Sequence, residues 1–398
     1  MHPSLFRRLP TLCGAQLLLL VALFTGAAPT CPENPKTLYP PPSEDPVPYQ
    51  EGSFTVVVLP DTQYALLSSD TAKFDRQIDW ILDQRRSRQI LAVVTLGDST
   101  EHNRAEEWAR FGRGMQRLRE HGLPTLVTLG NHDYSDLSRR DSSLFGDYFH
   151  DPDFASSSVV FEAFDDPLGP AVRHNYALLL TIPDETRFGV NAGNNVGLLT
   201  LEFGPRDEVL VWAERLLSSY PDHTFIVATH TYLYVEADGD PTTVARYDAG
   251  GPRVQSWNPH DYAGMPPFHA PPSPYPTYPF DLLDDLGYPS GYHGNDGQEL
   301  WDKLLRHHTN VALVLSGHVY HPRATGHLAS RGDRGNLVHE LLSDYQLCSN
   351  CGEGGHSSVL RLLEFHPDGR GLQVKSYSPL GGNWMIGEND QFSLRLRD

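Results

Sequence analysis

The sequence predicts an α/β fold built on a largely parallel β-sheet covered by helices. Two patterns carry this expectation. Phe54 to Leu59 and residues 90–96 are short, unbroken apolar runs rich in β-branched side chains, the mark of strands buried on both faces. After each run, apolar residues recur at helical spacing, and strand followed by helix is the order in which crossover helices join parallel strands. With 398 residues, 39% of them hydrophobic, the chain can bury a sizeable core without staples.

In chain order, the strand at 54–59 is followed by a helix over 73–86, with Phe74, Ile78 and Ile81 on one face. A strand over 90–96, a helix over 105–120 and a strand over 125–129 follow. The rhythm resumes with a strand at 196–203, a helix at 207–219, a strand at 224–229, a helix at 298–306 and a strand at 311–316. Residues 337–343, 359–365, 372–376 and 391–396 read as strands joined without helices, which predicts a second, antiparallel section. Residues 235–297 break the pattern with many Pro, Gly, Tyr and His. The segment is too long for a plain connection in a compact domain, so it is either an inserted lid over the site or a decorative surface loop.

Residues 1–28 read as a secretory signal peptide: Arg7 and Arg8, then the apolar run 17–24, then Gly26, Ala27 and Ala28. That run is too short to span a bilayer and no later segment qualifies, so no stable membrane insertion is expected. Thr30 before Cys31 makes a poor lipoprotein signal. The expectation is a soluble product, secreted or periplasmic, with residues 29–50 a Pro-rich linker ahead of one domain over 51–398. Of four cysteines, Cys13 leaves with the signal. Cys348 and Cys351 are expected to form a local disulfide in an oxidising compartment, and Cys31 is then either unpaired or displaces one of them.

The formal net charge of −19 repels nucleic-acid phosphates and anionic lipid surfaces, so neither is an expected partner. A small phosphate ester would need positive charge concentrated locally, which bound metal ions supply. A monomer is expected.

Each apolar strand runs into residue types that ligate metals, at the carboxyl ends where open α/β sheets carry chemistry. The first leads to Asp61-Thr62-Gln63, the second to Gly97-Asp98, the third to Gly130-Asn131-His132-Asp133. Later strands lead to Thr229-His230 and to Gly317-His318-Val319-Tyr320-His321. Singly, each is more readily a turn, a helix cap or a surface histidine. Five in succession are hard to explain as turns. His102, His293, His307 and His308 read as solvated or capping side chains that could also line the cleft. Tyr232 either reaches the site or packs in the core.

These residues, in this order, resemble the calcineurin-like metallophosphoesterase superfamily, whose pattern is D-x-H/Q, GD, GNH followed by D or E, a strand-terminal H, and GHxH. The resemblance covers roughly residues 51–398. With phrases such as Asn336-Leu337-Val338-His339-Glu340-Leu341-Leu342-Ser343-Asp344-Tyr345-Gln346 it is similar to a bacterial-type branch whose first motif reads D-T-Q. It implies a four-layer α/β/β/α sandwich of two mixed sheets flanked by helices. It also implies a binuclear metal centre of Mn, Fe or Zn, with Asp98 bridging, Asp61, His321 and Gln63 on the first ion, and Asn131, His230 and His318 on the second.

The function implied is a secreted phosphoesterase that hydrolyses phosphate mono- or diesters by a hydroxide activated between two metals. His132 is the general acid, Glu101 the carboxylate that orients it, and Asp133 a further catalytic candidate or a backbone-fixing group. Two departures stand out. Gln63 occupies a position where many relatives have His, and its neutral amide oxygen binds a metal more weakly. Glu101 stands where purple acid phosphatases carry an iron-binding tyrosine, which disfavours that subfamily. The alternative is a secreted binding protein that kept the fold and a metal but lost catalysis.

Overall fold

The computed structural model describes residues 45–67, 72–136, 139–149, 159–182, 195–233, 294–295, 297–320, 325–347 and 358–396, all within the unit Lys36–Asp398. The expected signal peptide, most of the linker 29–50, nearly all of the insertion 235–297, His293, all four cysteines and His321 lie outside the described residues.

The chain runs β1 (Phe54–Leu59), α1 (Gln63–Leu67), α2 (Ala72–Gln84), β2 (Ile90–Thr95), α3 (Ala105–Glu120), β3 (Thr125–Leu126) and the short α4 (Phe145–Tyr148). It continues with β4 (Val159–Ala163), β5 (Tyr176–Thr181), β6 (Asn195–Thr200), α5 (Asp207–Ser219), β7 (Thr224–Ala228), α6 (Gly297–Lys303) and β8 (Val311–Ser316). Six strands follow: β9 (Thr325–Arg331), β10 (Leu337–Ser343), β11 (Leu360–Phe365), β12 (Gly371–Ser378), β13 (Asn383–Met385) and β14 (Phe392–Arg395).

These strands form two mixed sheets of seven. The first has the order β13-β12-β11-β1-β2-β3, with β14 also on β12; the second has the order β4-β5-β6-β7-β8-β10-β9. In the first sheet β1, β2 and β3 run parallel, and β11 pairs antiparallel with β1, Phe54 opposite Phe365. In the second, β6, β7, β8 and β10 run parallel.

Alternation along the second sheet explains the layering. Leu178, Leu180, Leu198, Ile226, Ala228, Leu313, Leu315 and Leu341 belong to the core shared with β1, β2 and the helices α2 and α3. Their neighbours Ala177, Leu179, Leu199, Val227, Val314 and Leu342 instead pack with Val209, Ala213, Leu216 and Leu217 of α5 and with Leu300 and Trp301 of α6. Period-two alternation with both faces apolar is what a sheet sandwiched between another sheet and helices requires. The fold is therefore α/β, two mixed sheets face to face with helices outside. The two sheets are also tied by Tyr176, whose hydroxyl donates to the Val127 carbonyl at 2.9 Å and accepts from the Val127 amide at 2.8 Å.

The parallel units read from the βαβ rhythm divide between two mixed sheets, as the four-layer sandwich implied by the resemblance requires. Units β1-α2-β2-α3-β3 build one, and β6-α5-β7 with α6 and β8 build the other. The predicted antiparallel section is also redistributed: β10 enters the second sheet parallel to β8, while β11 to β14 extend the first beside β1. Apolar periodicity reports burial but not the partner strand, so it could not separate the two. The predicted helix 298–306 ends at Lys303 and continues as a tighter turn at Leu305–His307.

Helix α3 starts where Glu107 turns back to accept the amides of Arg104 at 3.1 Å and His102 at 3.0 Å. This satisfies donors that the first turn leaves without helical partners. Its inner face presents Trp108, Phe111, Met115 and Leu118 to the core. Asp45, the first described residue, is bonded to Arg88 at 2.7 Å and to the buried Lys375 at 3.0 Å, which holds residues 45–50 against the first sheet. No helix among the described residues is long and apolar enough to cross a membrane.

Candidate metal centre

The residues singled out at strand ends converge. Asp98, just beyond β2, and His230, beyond β7, approach to 3.3 Å between Oδ1 and Nε2. His230 Nε2 lies 3.1 Å from Asn131 Oδ1 and 3.0 Å from His318 Nδ1, and the last two atoms are themselves 3.0 Å apart. All four residues are buried. Asp98, His230 and His318 form a group able to hold a metal ion.

The chemistry of this donor set fits a cation. His230 Nδ1 donates to the Leu96 carbonyl at 2.7 Å, which fixes the tautomer and leaves Nε2 as a lone pair facing the other three groups. Lone pairs of a carboxylate, an amide oxygen and imidazoles repel one another unless positive charge lies among them. Donors about 2.0–2.2 Å from one ion stand about 3.0–3.5 Å from each other, the spacing seen here.

The loops reach this geometry because their glycines admit it. A Cβ on Gly97 would sit 2.4 Å from His230 Nδ1, one on Gly130 2.2 Å from Asp98 Oδ1, and one on Gly317 2.2 Å from Asp61 Oδ2. Asp98 (φ 46°) and His318 (φ 75°) hold the left-handed backbone, at a cost of about 1–3 kcal/mol each that the surrounding contacts must offset. Phe203, beyond β6, packs against both imidazoles, 5.9 Å from His230 and 6.1 Å from His318 between ring centres.

Asp61 is buried beyond β1 and accepts the His318 amide at 3.1 and 3.3 Å through its two oxygens, so it both clamps the β8 loop and joins the cluster. Gln63 opens α1. Its amide donates to the Asp98 carbonyl at 3.0 Å and its Nε2 to Glu101 Oε2 at 2.9 Å, while its buried Oε1 has no hydrogen-bond partner among the described residues.

Burial resists ionisation of Asp98, but the neighbouring imidazoles of His230 and His132 outweigh it and hold its carboxyl well below the usual carboxylate range. Burial first, then Asp344 and Asp98, push the Asp61 carboxyl well above that range. Burial, and then the neighbouring His230 imidazole, hold His318 well below the usual imidazole range.

His132 sits at the rim, its side chain 38% exposed. Its backbone amide donates to Asp98 Oδ1 at 2.9 Å, and its Nδ1 lies 2.9 Å from the Glu101 carbonyl oxygen and 3.6 Å from Glu101 Oε2. The Glu101 carbonyl, rather than its carboxylate, is thus the closer group orienting the ring. Burial opposes the imidazolium, but Asp98 and then Glu101 outweigh it and raise the His132 pKa.

Asp133 accepts the amides of Ser99 at 3.1 Å, Thr100 at 2.8 Å and Gly130 at 3.0 Å, with the Thr100 hydroxyl at 2.9 Å. It clasps the β2 and β3 loops together, which makes it the backbone-fixing group. Burial and then Asp98 push its carboxyl up to about 7. Tyr232 is buried in the core against α6. His307, bonded to Asp333, and His102, bonded to Glu107, lie outside the cluster.

Sequence reasoning missed Asp344. It is 2% exposed, just past β10, where its charge acts on Asp61 and that of Asp98 acts on it. The signal is present, an acid at the end of an apolar strand, but the sequence places residues 337–343 in an antiparallel section, away from the ligand-bearing strands.

No family model matches the chain. An uncharacterized protein, YvnB of Bacillus subtilis (strain 168), is 26% identical over 366 residues, covering 89% of this chain; the chain spans 22% of that protein. Among solved structures, GAP50, the anchor in the inner membrane complex of Plasmodium, is similar at TM-score 0.39 and 11% identity, covering 87% of this chain and 90% of that one. The NAD nucleotidase NadN of Haemophilus influenzae is similar at TM-score 0.35 and 11% identity, over 86% of this chain and 50% of that one.

Proposed function

We propose that this chain is a secreted, metal-dependent hydrolase of small phosphate mono- or diesters, working with two divalent ions. The observation that supports it most is the approach of His230 Nε2 to Asp98 Oδ1, Asn131 Oδ1 and His318 Nδ1 at 3.0–3.3 Å, at the carboxyl ends of strands from both sheets. These four residues would hold one ion; Asp61 and Gln63, with Asp98 shared and His321 from outside the described residues, would hold the other. When bound, such ions neutralise phosphoryl oxygens and lower the pKa of water.

The chain's own residues supply the rest. His132 donates its Nδ1 proton to the Glu101 carbonyl, which leaves Nε2 to carry a proton to the departing oxygen. The hydrogen bond that its backbone amide donates to Asp98 fixes its distance from the cluster. Phe203 keeps water from the inner side of the histidines. Tyr64 and Tyr320, edge to face at 5.8 Å, follow Gln63 and His318 in the chain and would meet the ester's leaving group. A deeply acidic chain disfavours polyanionic substrates.

The test is hydrolysis with added Mn²⁺, using bis-p-nitrophenyl phosphate and an alkyl phosphate. His132→Ala should lower turnover of the alkyl ester about 10²–10⁴-fold, and of the nitrophenyl ester much less, since nitrophenolate leaves without a proton. Inactivity on both ester types across Mn, Fe and Zn, with metal bound, would leave a metal-binding module instead.

A further inference from the structure

Three neighbouring parallel strands of each sheet end at the centre. In the first sheet β1, β2 and β3 lead to Asp61, Asp98 and Asn131; in the second β7 and β8 lead to His230 and His318. The sixth strand is β10, parallel to β8 with Leu342 opposite Ser316. Two residues further along the sequence from that pair come His318, past the end of β8, and Asp344, just past the end of β10, so the acid leaves the sheet at the same edge as a histidine of the centre. We propose that Asp344 is a direct metal ligand, the second carboxylate of the half held by Asp61 and Gln63.

Asp344 is 2% exposed. Its Oδ1 accepts the Gln346 amide at 2.8 Å, a local turn, whereas its buried Oδ2 has no hydrogen-bond partner among the described residues. Gln63 Oε1, 3% exposed, is likewise buried without a partner. Two orphaned oxygens of this kind are costly in a protein interior unless something satisfies them, and hard oxygen donors suit a divalent cation. A turn role explains Oδ1 but not the acid, because asparagine would accept the same amide. Burying a third carboxylate near Asp61 and Asp98 requires local positive charge.

This inference rests on the metal-centre reading above, and its failure can be told apart from failure of that reading. The full chain, loaded with Mn²⁺ and desalted, is assayed for metal content by mass spectrometry and titrated calorimetrically, with folding checked by circular dichroism. Wild type should hold two Mn²⁺. Asp344→Asn keeps the turn and replaces one oxygen by a nitrogen that cannot ligate. It should hold one ion, with the second weakened about 10–100-fold or more and the first unchanged.

Two ions bound by Asp344→Asn with wild-type affinities would overturn the role of Asp344 and leave the centre standing. No metal in wild type would overturn both. If Asp344→Asn does not fold, wild-type crystals grown in Mn²⁺ decide. Asp344 Oδ2 about 2.2 Å from an ion supports the proposal, and Oδ2 outside the coordination sphere of every ion refutes it.

Discussion

Gly130→Ala isolates the effect of ligand geometry. Gly130 has φ −106°, which any residue adopts, so alanine adds no backbone strain there. What it adds is a methyl group whose carbon would lie 2.2 Å from Asp98 Oδ1, 2.4 Å from the Asp98 amide nitrogen and 2.8 Å from His230 Cε1. Unbonded carbon and oxygen need more than about 3 Å, so the carboxylate must retreat by about 1 Å. Overpacking of this size costs about 1–3 kcal/mol of stability. Disturbing how a ligand is held should cost about 10–100-fold in metal affinity.

Gly112→Ala in α3 is the control, since its Cβ meets nothing nearer than Tyr148 Cδ1 at 3.9 Å and should add about 0.5–1 kcal/mol of stability. Urea titrations and Mn²⁺ calorimetry on both variants are the assay. Gly130→Ala with wild-type metal affinity would refute the claim that Asp98 and His230 hold the ion from these positions.

The loop carrying Phe203 is locked by Arg206, which is buried and bonded to Glu202 at 2.7 Å and to Asp166. Arg206→Met should lose about 3–5 kcal/mol in urea unfolding, because two carboxylates are left buried without their partner. A loss under 1 kcal/mol would contradict this. His174 is buried beside Tyr134, 3.1 Å away, and burial, with help from Arg140 and Arg206, pushes its pKa down to about 3. The unfolded chain therefore binds a proton that the native chain does not as pH falls from about 6.5 towards 3, and stability drops across that window. His174→Asn should flatten the slope of unfolding free energy against pH there by up to about 1.4 kcal/mol per unit; an unchanged slope would show that His174 is not neutral in the fold.

The elements that the sequence marks best are those whose burial is uniform or strictly periodic. Phe54–Leu59, Val311–Ser316, Ala105–Glu120 and Asp207–Ser219 occupy the predicted limits. β4, β5, β9 and β13 were not predicted. β9, with Gly326, His327 and Ser330 at an edge, lacks the apolar run that identifies the central strands. The GD, GNH and GH phrases are legible because each combines a ligand type with a glycine that the crowded centre demands, and D-T-Q because it closes an unbroken apolar strand.

Asp344 was not legible for a topological reason. Its strand reads like its antiparallel successors, and only its pairing with β8 carries the acid to the ligand edge. The contribution of the Glu101 carbonyl was hidden too, because a backbone oxygen leaves no trace in residue type.

Crystals of the full chain grown with Zn²⁺ or Mn²⁺ and measured at the metal's absorption edge test the central claim most directly. An anomalous peak bonded at about 2.0–2.2 Å to Asp98, Asn131, His230 and His318 is the predicted result. At saturating metal, no peak there, or a peak that those four side chains do not touch, would contradict it.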